Sequence, residues 1–180
     1  GIGDFPTQCG PAGKIADGAN APAAGPDSLW RIYSMTKPIT GMAAMLLVED
    51  GKISLDDPVS KYIPAFANMR VLTNPDASLD SAPAKNPILI RHLLTHTAGL
   101  SYNISAKGPL LKEYERLGIL PAQVNTQLEA KARTTRPATL AEFANRVASV
   151  PLIAEPGTKW VYSIGLDVMG AVIEKASGMP

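Results

Sequence analysis

The stretch from residue 39 to residue 48 constrains the fold more than any other part of this sequence. Its apolar residues occupy nearly every face of a helix, with Ile39, Met42, Ala43 and Leu46 at helical spacing and Met45, Leu47 and Val48 between them. Gly51 supplies a stop, and Pro38 is tolerated only in the first turn. The sequence therefore predicts a helix buried on most sides, with Ser34 at or just before its N-terminus.

The composition suits a globular protein and excludes several classes of partner. The chain has 180 residues, enough for about one domain, and 46% of them are apolar. The net charge is only +1, without a cluster of lysines or arginines, so we expect neither nucleic acid nor an anionic membrane as a partner. No apolar run approaches the ~18 residues of a membrane-spanning helix, and we expect none.

The N-terminal region carries the single cysteine. Because Cys9 is the only cysteine, an internal disulfide and the cysteine patterns of structural zinc are excluded. Cys9 lies in a loop with no histidine nearby in the sequence, which argues against its being a nucleophile. The first residues show no signal-peptide pattern and no initiator methionine. We expect the chain to be processed, or to begin partway through a longer protein.

The rest of the chain alternates irregular segments with shorter elements. Residues 107–136 mix helical periodicity with charge and cannot be placed. The other predictions are loop at 6–28, a strand-like run at 29–33, a proline-rich irregular stretch at 56–87, a short helix at about 88–95, a helix opened by a capping box of Thr139 and Glu142, an extended piece at 159–162 and a last helix stopping at Gly178.

Ser34 and Lys37 have the spacing of a nucleophile and its base. A serine hydroxyl attacks a carbonyl only when a neighbouring group takes its proton, and a lysine three positions later lies on the same helical face. The amide groups at a helix N-terminus could stabilise an oxyanion beside Ser34. Spacing alone favours a plainer interpretation, a capped helix start with a solvated lysine.

Four segments together resemble the serine β-lactamase-like superfamily. They are Leu29 to Ile39, Leu55 to Pro64, His92 to Leu100, and Glu155-Pro156-Gly157 leading to Tyr162-Ser163, in the right order. The similarity is to the branch that holds class C β-lactamases, D-alanyl-D-alanine carboxypeptidases and family VIII carboxylesterases. The resemblance implies that Ser34 is acylated, that Lys37 helps to deprotonate it, and that Tyr162 carries protons as general base and acid. We expect no cofactor and no metal.

The resemblance also implies an α+β fold, with an antiparallel sheet flanked by helices beside a helical subdomain. Residues 1–180 would form an incomplete domain of this kind, mainly the helical half with a few short strands. The family's third motif, Lys-Thr-Gly or Trp-Gly-Gly, would lie beyond Gly178. We expect the missing C-terminal half of the same protein to be the partner of this chain, in a bacterial cytoplasm or periplasm, and the isolated chain to leave apolar surface uncovered.

Two departures from the family bear on the substrate. Ile164 stands where family members carry an asparagine or serine two positions after the tyrosine, and it cannot hydrogen-bond the amide of a lactam or peptide. Tyr162 also follows Ser34 at a longer interval than expected of class C enzymes. Both favour a carboxylesterase hydrolysing short-chain esters, with weak β-lactam hydrolysis. The alternatives are a class C-like β-lactamase or D-alanyl-D-alanine carboxypeptidase, and a penicillin-binding sensor or non-catalytic relative.

Other chemically active residues have simpler interpretations. His92 and His96 have the i, i+4 spacing of zinc ligands, but no third ligand accompanies them, which favours hydrogen-bonded structural roles. Asp56 and Asp57 are adjacent, so their carboxylates point apart and fit turn formation before Pro58 better than a catalytic pair.

Overall fold

The computed structural model describes residues 13–179, so Cys9 and the first residues of the predicted N-terminal loop lie outside the described part. Two compact units are present, Gly1–Thr36 and Lys37–Pro180. The described part of the first is irregular. It contains an antiparallel bridge between Lys14 and Ala23, and a 3-10 turn at Tyr33–Met35.

The run from Leu29 to Tyr33 is not a strand. It is irregular backbone that passes into the 3-10 turn, and the side chains of Leu29 and Trp30 are exposed. A strand requires a neighbouring strand to accept its hydrogen bonds, and none pairs with this run among the described residues.

The second unit is mostly helical with one small sheet. Its helices are α1 (Thr36–Glu49, whose first residue closes the first unit), α2 (Ile90–Leu94), α3 (Gly108–Arg116), α4 (Thr126–Arg133), α5 (Leu140–Ala148) and α6 (Gly165–Ser177). Strands β1 (Arg70–Leu72) and β2 (Ser81–Pro83) form an antiparallel pair in which Val71 faces Ala82. Leu152 forms a parallel bridge to Val71 on β1.

Helix α6 is the centre of the packing, because α2 and α5 both lie against it. Leu166, Val168 and Met169 of α6 are buried, and Gly178 ends the helix in the left-handed conformation, as the sequence predicts. The predicted N-terminal cap of α5 is also confirmed. The Thr139 hydroxyl accepts the Glu142 N–H, while the Glu142 carboxylate reaches one residue further back, to the N–H of Ala138.

Helix α1 departs from its prediction. Ala44 and Leu47 are buried, but Ile39, Met42, Met45 and Leu46 are 46–70% exposed. The prediction of burial on most sides is therefore wrong for this chain. The apolar pattern is present, but no element in the described part of the second unit covers that side of the helix. We call these four residues the open face of α1.

Residues 107–136 contain α3 and α4, joined to each other by a loop. Asn125 caps α4 by accepting the N–H groups of Gln127 and Leu128. Glu129 of α4 is buried and pairs with Arg133 and Arg136 at 3.0 and 2.9 Å. These ion pairs explain why the charge in this segment does not prevent it from packing.

Candidate active site

Ser34 is the central residue of the 3-10 turn that precedes α1, and it is exposed. Tyr33, immediately before it, has φ +45°, a conformation that L-residues with bulky side chains rarely adopt. Such strain costs about 1–3 kcal/mol and is concentrated at functional sites. The prediction that Ser34 lies just before the helix N-terminus is confirmed. Ser34 belongs to the first unit, and the contacts below are those within the second.

Lys37 and Tyr162, predicted to act together, are in contact. Lys37 lies in the first turn of α1, and its Nζ is 4.9 Å from the centre of the Tyr162 ring. The same Nζ lies 5.6 Å from the ring centre of Tyr102, and the two tyrosine rings are 5.8 Å apart. The ammonium group therefore packs against two aromatic rings, an arrangement that attracts a cation.

Tyr102 and Asp167 belong to this cluster, although neither was predicted. Burial, followed by the charges of Asp167 and Tyr162, raises the pKa of Tyr102 to about 12. A phenol with that pKa stays protonated at neutral pH. Asp167 is the one charged residue in the first turn of an apolar helix. That pattern in the sequence could have identified it as a candidate site residue.

Asp167 is electrostatically coupled to Lys37. Its side chain is exposed to solvent, yet the protein atoms around its carboxyl desolvate it enough to raise its pKa. The positive charge of Lys37 partly offsets the increase. A cation, a carboxyl group and two phenols thus converge at the N-terminal ends of α1 and α6.

Ile164 contributes no polar group to this cluster. It is 4% exposed and belongs to the hydrophobic core, while its backbone N–H donates to the carbonyl of Ser101 at 3.2 Å. The neighbouring Ser163 is buried as well, and its hydroxyl accepts the N–H of Gly165. That position 164 does not bind a substrate amide stays a prediction.

The two histidines are hydrogen-bonded through Nδ1. His92 Nδ1 accepts the Leu89 N–H at 3.1 Å, and His96 Nδ1 accepts the Ser163 N–H at 3.1 Å. Within residues 13–179 there is no group of three or more histidine, cysteine or acidic side chains placed to hold a metal ion. No helix in that same part of the chain is long and apolar enough to cross a membrane.

Asp56 and Asp57 have structural roles, as predicted. Asp57 accepts the Ser54 N–H and the Tyr62 hydroxyl, and it pairs with Lys61 at 2.9 Å. Asp56 instead pairs with Arg91 at 2.6 Å. The two carboxylates are thus engaged with different partners.

Comparison with known proteins gives a consistent result. The family model described as Beta-lactamase matches residues 10–180. Esterase EstB of Burkholderia gladioli is 39% identical over 155 residues, covering 86% of this chain and 34% of the esterase.

Solved structures agree with that match. EstCE1, described as a hydrolase with promiscuous acyltransferase activity, superimposes with a TM-score of 0.60 at 37% identity, over 82% of this chain and 33% of its own. Unliganded simvastatin synthase (LovD) of Aspergillus terreus has a TM-score of 0.62 at 29% identity, over 92% of this chain and 39% of its own. The chain spans about a third of the length of the relatives it matches.

Proposed function

The chain belongs to the beta-lactamase family, and we propose that the whole protein is a serine acyl hydrolase that forms its acyl-enzyme on Ser34. The observation that carries the proposal is the contact between the Lys37 ammonium and the Tyr162 ring. A cation beside a phenol favours the phenolate, the form that a tyrosine needs in order to act as a general base.

The proposed reaction has two halves. The Ser34 hydroxyl oxygen attacks the ester carbonyl while Tyr162, assisted by Lys37, takes its proton, and the same proton then passes to the departing alcohol. In the second half water attacks the acyl-enzyme, gives a proton to Tyr162 and releases the acid, and Ser34 regains its proton.

Short-chain esters are the proposed substrates. A simple ester has no amide group for a polar side chain to bind, so the apolar, buried Ile164 costs an ester nothing, whereas a β-lactam or peptide substrate would lose a hydrogen-bond partner for its amide group. The similarity to an esterase, EstB, supports the same substrate class.

Acyl transfer to an alcohol is the second candidate. It uses the same acyl-enzyme, with an alcohol in place of water in the second half. The description of EstCE1 as a hydrolase with acyltransferase activity favours it.

The test uses the full-length protein. We expect kcat/KM for p-nitrophenyl butyrate to exceed that for a chromogenic cephalosporin, and a fluorophosphonate to add one adduct at Ser34 by intact mass and peptide mapping. Ser34→Ala should abolish both activities and the adduct. The matched control is Ser149→Ala, which removes an exposed hydroxyl that donates to the Arg146 carbonyl outside the site.

Two results would contradict different parts of the proposal. An adduct that persists in Ser34→Ala would show that Ser34 is not the nucleophile. A higher kcat/KM for the cephalosporin would overturn the substrate class and leave the nucleophile in place. Including an alcohol acceptor and measuring the new ester against free acid separates transfer from hydrolysis.

A further inference from the structure

His96 forms hydrogen bonds with the residues on both sides of Tyr162. The carbonyl oxygen of His96 accepts the N–H of Val161 at 2.8 Å, and its Nδ1 accepts the N–H of Ser163 at 3.1 Å. The Ser163 hydroxyl lies 3.2 Å from the same Nδ1. One residue therefore fixes the backbone immediately before and immediately after the tyrosine.

The His96 ring also touches the tyrosine itself. The centres of the His96 and Tyr162 rings are 4.7 Å apart with the planes tilted by 39°. Trp160 meets His96 edge-on at 6.1 Å. Since Lys37 contacts the Tyr162 ring as well, the phenol is held by His96 and by the cation together.

The backbone of His96 is in an unusual conformation that brings about this arrangement. Its φ is +57°, in the left-handed region, where histidine, asparagine and aspartate occur more often than other residues with side chains. The strain is of the order of 1–3 kcal/mol. The carbonyl and the ring of His96 both contact the segment that contains Tyr162, and the left-handed conformation allows both contacts.

The hydrogen bonds fix the protonation state of the ring. A backbone N–H can only donate, so Nδ1 of His96 must be unprotonated and the neutral ring carries its proton on Nε2. Protonation would place an N–H on Nδ1, facing the N–H of Ser163, and the bond would be lost. Burial and the nearby charge of Lys37 both lower the pKa of His96.

We propose that His96 is a positioning residue for Tyr162, which holds the phenol for proton transfer while its imidazole is neutral and releases it when Nδ1 is protonated. The inference rests on the proposed role of Tyr162 as the proton carrier. Two titratable groups face His96 from neighbouring elements, Lys37 on α1 and Tyr162 before α6. Asp167, in the first turn of α6, feels the charge of Lys37.

The proposal makes a specific statement about pH. If both His96 and the Tyr162–Lys37 base must be unprotonated, log kcat/KM falls at low pH with a limiting slope of about 2, whereas one required group gives a slope of about 1. The contribution of His96 is therefore fully present above its lowered pKa and is lost as the pH falls through it, and this loss adds the second unit of slope.

The test variant is His96→Asn in the full-length protein. Asparagine tolerates the left-handed backbone and offers an oxygen near the position of Nδ1, but it has no ring and does not titrate. We expect kcat for an ester substrate to fall by about 10- to 100-fold with KM changed less than about twofold, since misplacement of a catalytic group by about 1 Å can cost about 100-fold. The limiting slope should fall to about 1.

His92→Asn is the matched control. His92 Nδ1 accepts a backbone N–H with the same length, from Leu89, and burial lowers its pKa too, but its partner is outside the Tyr162 segment. We expect this variant to keep the wild-type kcat and slope. Loss of slope in His92→Asn as well would show a general effect of histidine removal and would overturn the proposal.

Tyr162→Phe separates the inference from the proposed function. If that variant stays active, the proton carrier has been misassigned, and the proposed function fails first. If it is inactive while His96→Asn has wild-type kcat and slope, the positioning role of His96 alone is refuted.

A measurement on the unmodified protein guards against a variant that fails to fold. In ¹⁵N NMR we expect His96 to be the Nε2–H tautomer at pH 7.5, and the Ser163 amide shift to follow the His96 titration. An Nδ1–H tautomer, or a Ser163 amide that does not respond, would overturn the proposal.

Discussion

Replacing Gly99 by alanine should destabilise the protein far more than the same change at Gly51. Both glycines have a positive φ, +77° and +69°, so both substitutions impose left-handed strain of about 1–2 kcal/mol. A Cβ at Gly51 would meet nothing within 4 Å, whereas at Gly99 it would overlap the carbonyl oxygen of Ala154. Comparing the two variants therefore separates the cost of backbone strain from the cost of the close approach to the Ala154 carbonyl.

The additional cost at Gly99 follows from what must move. The Ala154 carbonyl cannot shift without disturbing the adjacent bond from the Ile153 N–H to the Gly99 carbonyl, 2.8 Å long, and the bond from the Leu72 N–H to the Leu152 carbonyl, also 2.8 Å. Each is worth about 1 kcal/mol net. We expect a loss of about 3–4 kcal/mol in unfolding free energy for Gly99→Ala and about 1–2 kcal/mol for Gly51→Ala.

The assay is urea unfolding of the full-length variants, monitored by circular dichroism. The slope of unfolding free energy against urea concentration should be the same for both variants. Because Gly99 follows His96 by only three residues, we also expect ester hydrolysis by Gly99→Ala to fall below that of Gly51→Ala under conditions where both are folded. If the two variants lose the same unfolding free energy within about 0.5 kcal/mol, the close approach at Gly99 contributes nothing and the reasoning is refuted.

Two further predictions concern ionisable groups. Tyr102→Phe should leave the shape of the pH profile of kcat/KM unchanged, because a phenol with a pKa of about 12 cannot act as a base near neutrality; a displaced acid limb would contradict this. The hydrogen bond from Tyr62, followed by that from Lys61, lowers the pKa of Asp57 from 3.8 to about 2, so its contribution to stability, at most about 2 kcal/mol, is present above pH 4 and lost as the pH falls towards 2. Urea unfolding should therefore show Asp57→Asn to be less stable than the wild type at pH 7, with the difference closing near pH 2, and a constant difference would refute the assignment.

The sequence predicted best where a local rule decides the outcome. The cap at Thr139 and the stop at Gly178 depend on a few neighbouring residues, and both were placed correctly. The resemblance singled out Lys37 and Tyr162 as residues that act together, and their side chains are in contact in the structure.

It failed where the outcome depends on distant residues. Tyr102 and Asp167 carry no motif, and only the fold brings them to Lys37. Periodicity shows which sides of α1 are apolar but not what covers them, and this chain spans about a third of its relatives' length. The segment from Leu29 to Tyr33 has strand-like composition, but no described neighbour accepts its hydrogen bonds.

The open face of α1 also has a chemical consequence. Two of its four residues are methionines, Met42 and Met45, which are 70% and 46% exposed, whereas Met69 and Met169 are 6% and 0% exposed. Peroxide converts accessible thioethers to polar sulfoxides and reaches buried ones slowly. The oxidation state of Met42 and Met45 would thus record whether another part of the protein had covered this helix at the moment of exposure to the oxidant.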